Sequence, residues 1–266
     1  MKIINNEEFA EFRGTVYERI VSLEKSMEIL TGQNEQLMAS AERSEILINE
    51  ILWSQIFGST ITNSKWLTDK TFSPGRWAVC YAFLYILYRV LDEIHPTSIL
   101  ETGLGQSTRM IAQYAAEHAC SHLVVEQDKE WIDFFSNSYS LPENTKLMHL
   151  PVQEKEFMGD KNTLVYSGFA EKTGSRKYDF ICIDGPGKSK SQMFGRVDIM
   201  DVLPGALSPK WIILWDDDDI SFLHNTYLLL LEKLQKENIP FAEGEYRGTR
   251  RVKILCSPDI KFLTSL

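Results

Sequence analysis

Four carboxylates directly follow or close apolar runs, where buried strands end: Glu101 in Ser98-Ile-Leu-Glu-Thr, Glu126 after Leu123-Val-Val, Asp184 after Phe180-Ile-Cys-Ile, and Asp216 after Ile212-Ile-Leu-Trp. Asp217, Asp218 and Asp219 extend the last of these into a run. Asp184 with Asp216 and Asp217 offers the oxygen ligands that a hard divalent cation takes, Mg2+ or another. Such an ion would bind a substrate hydroxyl and favour its alkoxide. Without an ion, one of these catalytic candidates or a nearby histidine acts as general base. A structural reading stays open beside it, since acids before a helix also cap it and complement its dipole. Asp219 suits the cap, and Asp216 and Asp217 suit the site. Among histidines, His149 and His224 are candidates to reach the site, while His95, His118 and His122 read as surface or turn residues.

The run Glu101-Thr-Gly-Leu-Gly-Gln-Ser-Thr108 turns from strand to helix through glycines. Gly103 and Gly105 permit positive φ and present no Cβ to a ligand, and Ser107 and Thr108 can cap the following helix. A third glycine, which packs the helix closely in a dinucleotide fingerprint, would stand where Thr108 does. Glu101 inside the turn also disfavours a polyphosphate, so the spacing predicts a nucleotide-like cofactor that carries an ammonium and no phosphates. Glu126 follows Gly105 by 21 residues, the separation of an acid that accepts both ribose hydroxyls. A solvated acid at a strand end is the plainer alternative.

The elements that must hold these residues alternate. Strands are expected at 98–101, 122–126, 146–150, 178–184, 211–215, 242–246 and 251–256, and helices at 76–94, 108–117, 129–138, 195–202 and 221–237. Such alternation predicts an α/β fold, a Rossmann-like, doubly wound, mostly parallel seven-stranded sheet with ligands at its carboxyl edge. With 266 residues, there is room for one such domain, residues 76–266, and an appendage. The appendage, residues 1–57, has a heptad register: Leu23, Leu30, Leu37 and Ile51 at d place Ile20, Met27, Asn34, Ala41 and Ile48 at a. This predicts a coiled-coil arm that makes a homo-oligomer, with Gly32 a weak point. Amphipathic helices folded back on the domain are the alternative, which Arg13 and Ser44 at seam positions keep open. Residues 58–75, polar with interspersed aromatics, read as a connector or lid.

A formal charge of -9 argues against nucleic acid as a general partner. The longest apolar stretch, 77–90, is too short to span a membrane. Four scattered cysteines without metal-ligand spacing read as buried thiols of a cytoplasmic protein, and the N-terminus lacks a signal-peptide pattern. Two basic clusters, one with Lys188, Lys190 and Arg196 and one with Arg247, Arg250 and Arg251, suggest an anionic small-molecule or glycan acceptor, with Lys188, Arg196 and Arg250 binding it. Ordinary solvated loop charge explains them equally well.

Over residues 76–256 the chain resembles class I S-adenosylmethionine-dependent methyltransferases, on Glu101-Thr-Gly-Leu-Gly-Gln-Ser-Thr, Glu126, Ile183-Asp-Gly-Pro and the aspartates after Trp215. Within that group, Ile183-Asp-Gly-Pro-Gly, Gly195-Arg196, Asp216-Asp217 and Gly248-Thr-Arg-Arg-Val252 are similar to polysaccharide O-methyltransferases of the glucuronoxylan type. The resemblance implies S-adenosyl-L-methionine as cofactor, with Glu101 near its methionine end, Gly103 and Gly105 against it, and Glu126 on its ribose. It implies methyl transfer to a sugar hydroxyl in polysaccharide biosynthesis. An amine or phosphoramidate acceptor and a non-catalytic scaffold are the alternatives. The paired strand-end acids are also similar to metal-dependent catechol-type O-methyltransferases, although those carry Asn beside the second Asp, where this chain has Asp217.

Overall fold

The computed structural model describes residues 6–75, 78–187 and 191–266. The chain divides into two compact units, Met1–Ile48 and Asn49–Leu266. Helix α1 (Asn6–Ile61) supplies the first unit and its last turns belong to the second. It contains no proline, and it runs unbroken through Gly14 and Gly32. Its heptad side chains are exposed, Leu23, Met27, Leu30 and Leu37 by 63–69 %.

In the second unit, the end of α1 docks through named contacts. Glu50 accepts from the backbone N–H groups of Tyr81 at 2.8 Å and Thr249 at 2.7 Å, and Trp53 Nε1 donates to the Arg247 carbonyl at 3.0 Å. Phe57 and Ile61 enter the core. Residues 62–75 are fastened as well: Trp66 and Leu67 are buried, Gln113 Oε1 accepts from the N–H groups of Thr68 and Asp69, and Arg109 pairs with Asp69. Helix α2 (Tyr81–Ile94) is apolar on nearly all sides and buried accordingly. Arg76 and Trp77, where this helix was expected to begin, lie outside the described residues.

From there the order is β1 (Ser98–Thr102), α3 (Gln106–His118), β2 (Ser121–Glu126), α4 (Lys129–Ser138), β3 (Thr145–His149), β4 (Val152–Phe157), β5 (Asp160–Tyr166), α5 (Phe169–Thr173), β6 (Tyr178–Ile183), α6 (Ile199–Val202), β7 (Leu207–Trp215), α7 (Ser221–Lys236), β8 (Ala242–Arg247) and β9 (Arg251–Cys256). Seven strands form one sheet in the order β3-β2-β1-β6-β7-β9-β8, in which β9 alone runs antiparallel. Alternate residues serve opposite faces. Ile99, Cys182 and Leu214 join the core with Met110 of α3 and Ile86 of α2, whereas Leu100, Ile183 and Trp215 join the core with Leu230 of α7. Both faces of the central strands β1, β2, β6 and β7 are covered, so these read as apolar runs.

The sequence expectation omitted the β4–β5 hairpin, which pairs antiparallel outside the main sheet. The helix expected over 195–202 is only α6, because Arg196 adopts φ +57, a left-handed conformation that interrupts a helix. All four cysteines are buried and unbridged, and burial pushes the Cys80 and Cys120 thiols up to about 12. No helix among the described residues is long and apolar enough to cross a membrane.

Candidate active site

Strand register brings the acids into one row. Thr102 pairs with Val125 on one side and Ile183 on the other, and Ile183 pairs with Trp215. The residues that follow, Gly103, Glu126, Asp184 and Asp216, therefore share the carboxyl edge of the four central strands.

The glycine turn is built by backbone approach. Gly103 has φ +93, and a Cβ there would meet the Asp184 carbonyl at 2.9 Å. Its N–H donates to the Val125 carbonyl at 2.9 Å, and the Asp184 N–H donates to the Thr102 carbonyl at 2.9 Å. Gly105 departs from the expectation of positive φ, for it is extended at φ −171. A Cβ at Gly105 would meet nothing within 4 Å, so glycine here leaves open space beside the turn. The Gly105 N–H donates to Thr108 Oγ1 at 2.9 Å, so the threonine that replaces a third glycine fixes the start of α3. Ser107 is buried beside it.

Glu126 organises this turn. Its Oε2 accepts from the Leu104 N–H at 2.9 Å, and its Oε1 accepts from the N–H groups of Gln127 and Asp128 at 2.7 and 2.8 Å. The plainer alternative of a solvated acid is thereby replaced, since Glu126 is 4 % exposed. Burial raises its pKa against the pull of those three donors. Glu101 is fully buried, and its Oε2 lies 3.0 Å from His122 Nε2, while His122 Nδ1 lies 3.2 Å from Thr145 Oγ1. His122 is thus a buried strand residue, contrary to the surface position expected of it. Its place near the start of an apolar strand does not show that its ring lies between Glu101 and Thr145 of the neighbouring strands.

Asp184, Asp216 and Asp217 meet as expected, with one oxygen of each within 4.8 Å of the others. Arg196 is threaded among them. Its Nη2 donates to Asp184 Oδ1 at 3.0 Å and Asp217 Oδ2 at 2.8 Å, and its Nη1 donates to the Asp216 carbonyl at 2.6 Å. Arg196 is 4 % exposed, so the expectation of a free cation for an anionic acceptor is corrected: desolvating a guanidinium requires these internal partners. Burial raises Asp184 to about 7, with Asp217, Glu101 and Glu126 adding to the rise and Arg196 opposing it. Burial and the neighbouring acids raise Asp216 well above the usual carboxylate range. Arg196 and Asp217 are both in the left-handed region, at φ +57 and +60, a conformation that costs about 1–3 kcal/mol per residue and persists where surroundings enforce it.

A divalent cation fits this trio only if Arg196 withdraws from Asp184 and Asp217. The guanidinium already supplies the positive charge, so the residues as arranged do not fit an added ion.

The rest of the aspartate run is divided. Asp218 is buried, with Oδ1 3.0 Å from His224 Nδ1 and Oδ2 3.8 Å from Arg251 Nη1. Asp219 does not cap α7, contrary to expectation. It accepts from the Arg251 N–H at 3.0 Å, while the residue preceding α7 is Ile220, without a capping side chain. Arg250, partly exposed in the β8–β9 turn, approaches Asp217 Oδ1 at 3.4 Å and Asp219 Oδ2 at 4.0 Å. Lys188 and Lys190 lie outside the described residues. His149 is exposed, and its Nε2 donates to the Gln127 carbonyl at 3.0 Å.

Sequence reasoning missed Tyr166, the last residue of β5. Its hydroxyl is buried without a partner, and a Cβ on Gly185 would collide with it. Only the position of the hairpin reveals it, since nothing in its local sequence sets it apart. Gln127 Oε1, Glu101 Oε1, Arg196 Nε and Asp216 Oδ1 are likewise buried and unpartnered. Native interiors satisfy most such atoms, and here five gather along one edge of the sheet. The surface cavities bordered by Pro96 and Asp179 and by Pro204, Trp211 and Pro258 lie away from this cluster.

No protein-family model and no curated protein matches the chain. Among solved structures, the chain is similar to a Podospora anserina methyltransferase, PaMTH1, bound to S-adenosylhomocysteine, with 16 % identity over 76 % of this chain and 86 % of that one, TM-score 0.44. Human methyltransferase-like protein 13 in complex with S-adenosylhomocysteine gives 14 % over 68 % and 80 %, TM-score 0.44. The precorrin-6y C5,15-methyltransferase of Geobacter metallireducens gives 12 % over 71 % and 94 %, TM-score 0.44. The mostly parallel seven-stranded sheet with its flanking helices is a Rossmann-like α/β fold.

Proposed function

We propose that the chain is an S-adenosylmethionine-dependent O-methyltransferase whose acceptor is a sugar hydroxyl of a cell-surface glycan or its precursor. The observation that carries this reading is the row of unpartnered buried polar atoms beside a glycine turn that leaves open space at Gly105. Fold alone does not set a reaction, so the donor is argued from this edge. Glu101, with its free Oε1, suits the cofactor's ammonium. Glu126 suits the ribose through the turn it holds, and Gly103 and Gly105 let the cofactor approach backbone. When bound, the sulfonium supplies an electrophilic methyl group, and the acceptor oxygen displaces the thioether in line.

The protein's part is alignment, exclusion of water and removal of the hydroxyl proton. Asp184, brought to about 7, is the group suited to take that proton near neutrality. Support for the glycan acceptor comes from the four short pieces similar to polysaccharide methyltransferases. Spread from Ile183 to Val252, they meet in one contact chain, Asp184–Arg196–Asp217–Arg250. Arg250 remains the partly exposed cation that an anionic sugar would meet.

Isothermal titration of the full chain with S-adenosylmethionine, with NAD, and with each after treatment with EDTA tests the reading. S-adenosylmethionine alone is expected to bind, with an affinity that EDTA leaves unchanged. Absence of binding would overturn the methyltransferase reading, and loss of binding in EDTA would restore the metal. Transfer of labelled methyl from the donor to uronic acids and phosphorylated sugars, against amine acceptors, then tests the acceptor.

A further inference from the structure

The first unit carries a feature that the active site does not use. Helix α1 exposes sixteen large apolar side chains from Phe9 to Leu52. In the register with Asn34 at a, fourteen of them stand at a, d, e or g, and only Val21 and Ile29 fall outside. Exposed apolar surface of this extent is rare on a monomer, and a lone helix draws little stability from propensity. From Val16 to Ile51 the stripe covers five heptads, about 50 Å at 1.5 Å per residue.

We infer that α1 pairs with α1 of a second copy as a parallel, in-register, two-stranded coiled coil. Three observations select that occupant. Asn34 is the one exposed amide at an a position between apolar layers. In parallel, in-register pairing it meets its own copy, amide to amide, whereas antiparallel pairing sets it against an apolar d residue. A buried amide left unpaired costs its desolvation. Second, Ile20 and Ile48 at a, with Leu23, Leu30 and Leu37 at d, are the combination that favours two strands.

Third, the flanking positions complement themselves. In a parallel pair each g residue faces the e residue five places on in the partner helix. That sets Arg19 against Glu24, Phe12 against Tyr17 and Leu47 against Leu52, and the remaining pairs bring no like charges together. Gly14 and Gly32 fall at b and f, outside the seam. Arg13 at a closes the seam at its N-terminal end, and Ser44 is its one polar d position beyond Asn34's layer.

The test uses the full chain. Sedimentation equilibrium is expected to return twice the 30.6 kDa chain mass. Leu30→Arg with Leu37→Arg should return the single mass, with the circular dichroism of the sheet unit retained. Asn34→Cys and Ile20→Cys should each form a disulfide-linked dimer under mild oxidation; position 20 meets itself only in parallel, in-register pairing, because antiparallel pairing of a stripe centred near position 34 carries it far from its own copy. Ala39→Cys, at the outer f position, should not cross-link, and the four native cysteines are buried. A single chain mass at every concentration, a trimer or tetramer, or equal cross-linking at 34 and 39 would each overturn the inference.

Discussion

The two halves of the carboxyl edge stabilise buried acids by opposite means. At the ends of β1 and β2, Glu126 is held by three backbone N–H groups, which fix a turn and leave its geometry little freedom. At the ends of β6 and β7, the carboxylates of Asp184 and Asp217 share the guanidinium of Arg196 and Asp184 is raised to about 7. Backbone donors make a rigid receptor, and a shared guanidinium makes a proton-holding centre. The first half is therefore suited to bind and the second to react, and variants should separate the two.

Removing the guanidinium gives the largest effect. Arg196→Met leaves Asp184 and Asp217 without their shared donor and should cost about 3–5 kcal/mol of stability. Urea unfolding measures it. A loss below about 1 kcal/mol would mean that the acids are not held through Arg196 and would dissolve the contrast.

Asp184→Asn keeps the shape and removes the proposed proton acceptor, so on that proposal transfer should slow by about 100-fold. Wild-type rate should rise as pH passes through about 7, since the acceptor works when deprotonated, and the variant should lose that rise. Its donor affinity should change little. Glu126→Gln should do the reverse: it withdraws a charged acceptor from three N–H groups, at about 2 kcal/mol, and should weaken donor binding about tenfold while the pH profile keeps its midpoint. A shifted midpoint would show that the halves are coupled.

The sequence exposed the first half more fully than the second. Glycines at a strand-to-helix turn and an acid 21 residues on are local signals, and each of the four central strands shows as an apolar run because both its faces are covered. The partners of the acids are not local. Arg196 reads as loop charge until the chain returns it beneath Asp216, and its left-handed backbone is invisible in residue type. Asp219 does not take the cap expected of it because its donor is the N–H of Arg251, at the start of β9, rather than a group of α7. The β4–β5 hairpin was hidden for another reason. Gln153-Glu-Lys-Glu156 is exposed throughout, so it lacks the apolar alternation by which a half-buried strand is recognised. With it went Tyr166, although that residue delivers a hydroxyl to Gly185. The heptads of α1, by contrast, are legible at once, because a seam needs only its own spacing.

A third acid, Asp198, sharpens the comparison because it has neither solution. Its Oδ1 accepts one backbone N–H, from Tyr166 at 2.7 Å, and its Oδ2 is buried without a partner. Burial, outweighing that single donor, raises its pKa from 3.8 to about 7. The sign follows from proton counts. Between about pH 4 and 7 the folded chain holds a proton here that the unfolded chain has released, so the group's contribution falls as pH rises through that window and is flat above it. Asp198→Asn keeps an oxygen for the Tyr166 N–H and has no charge to bury. The variant should match wild type near pH 4 and exceed it at pH 8 in urea unfolding, with the full shift setting an upper limit of about 4 kcal/mol. Glu126→Gln withdraws an acceptor from three N–H groups and destabilises; removing Asp198 should stabilise, and only at high pH. Equal stability of the two proteins at pH 8 would mean that Asp198 has a donor after all, and that partner supply, rather than burial, does not distinguish the three acids.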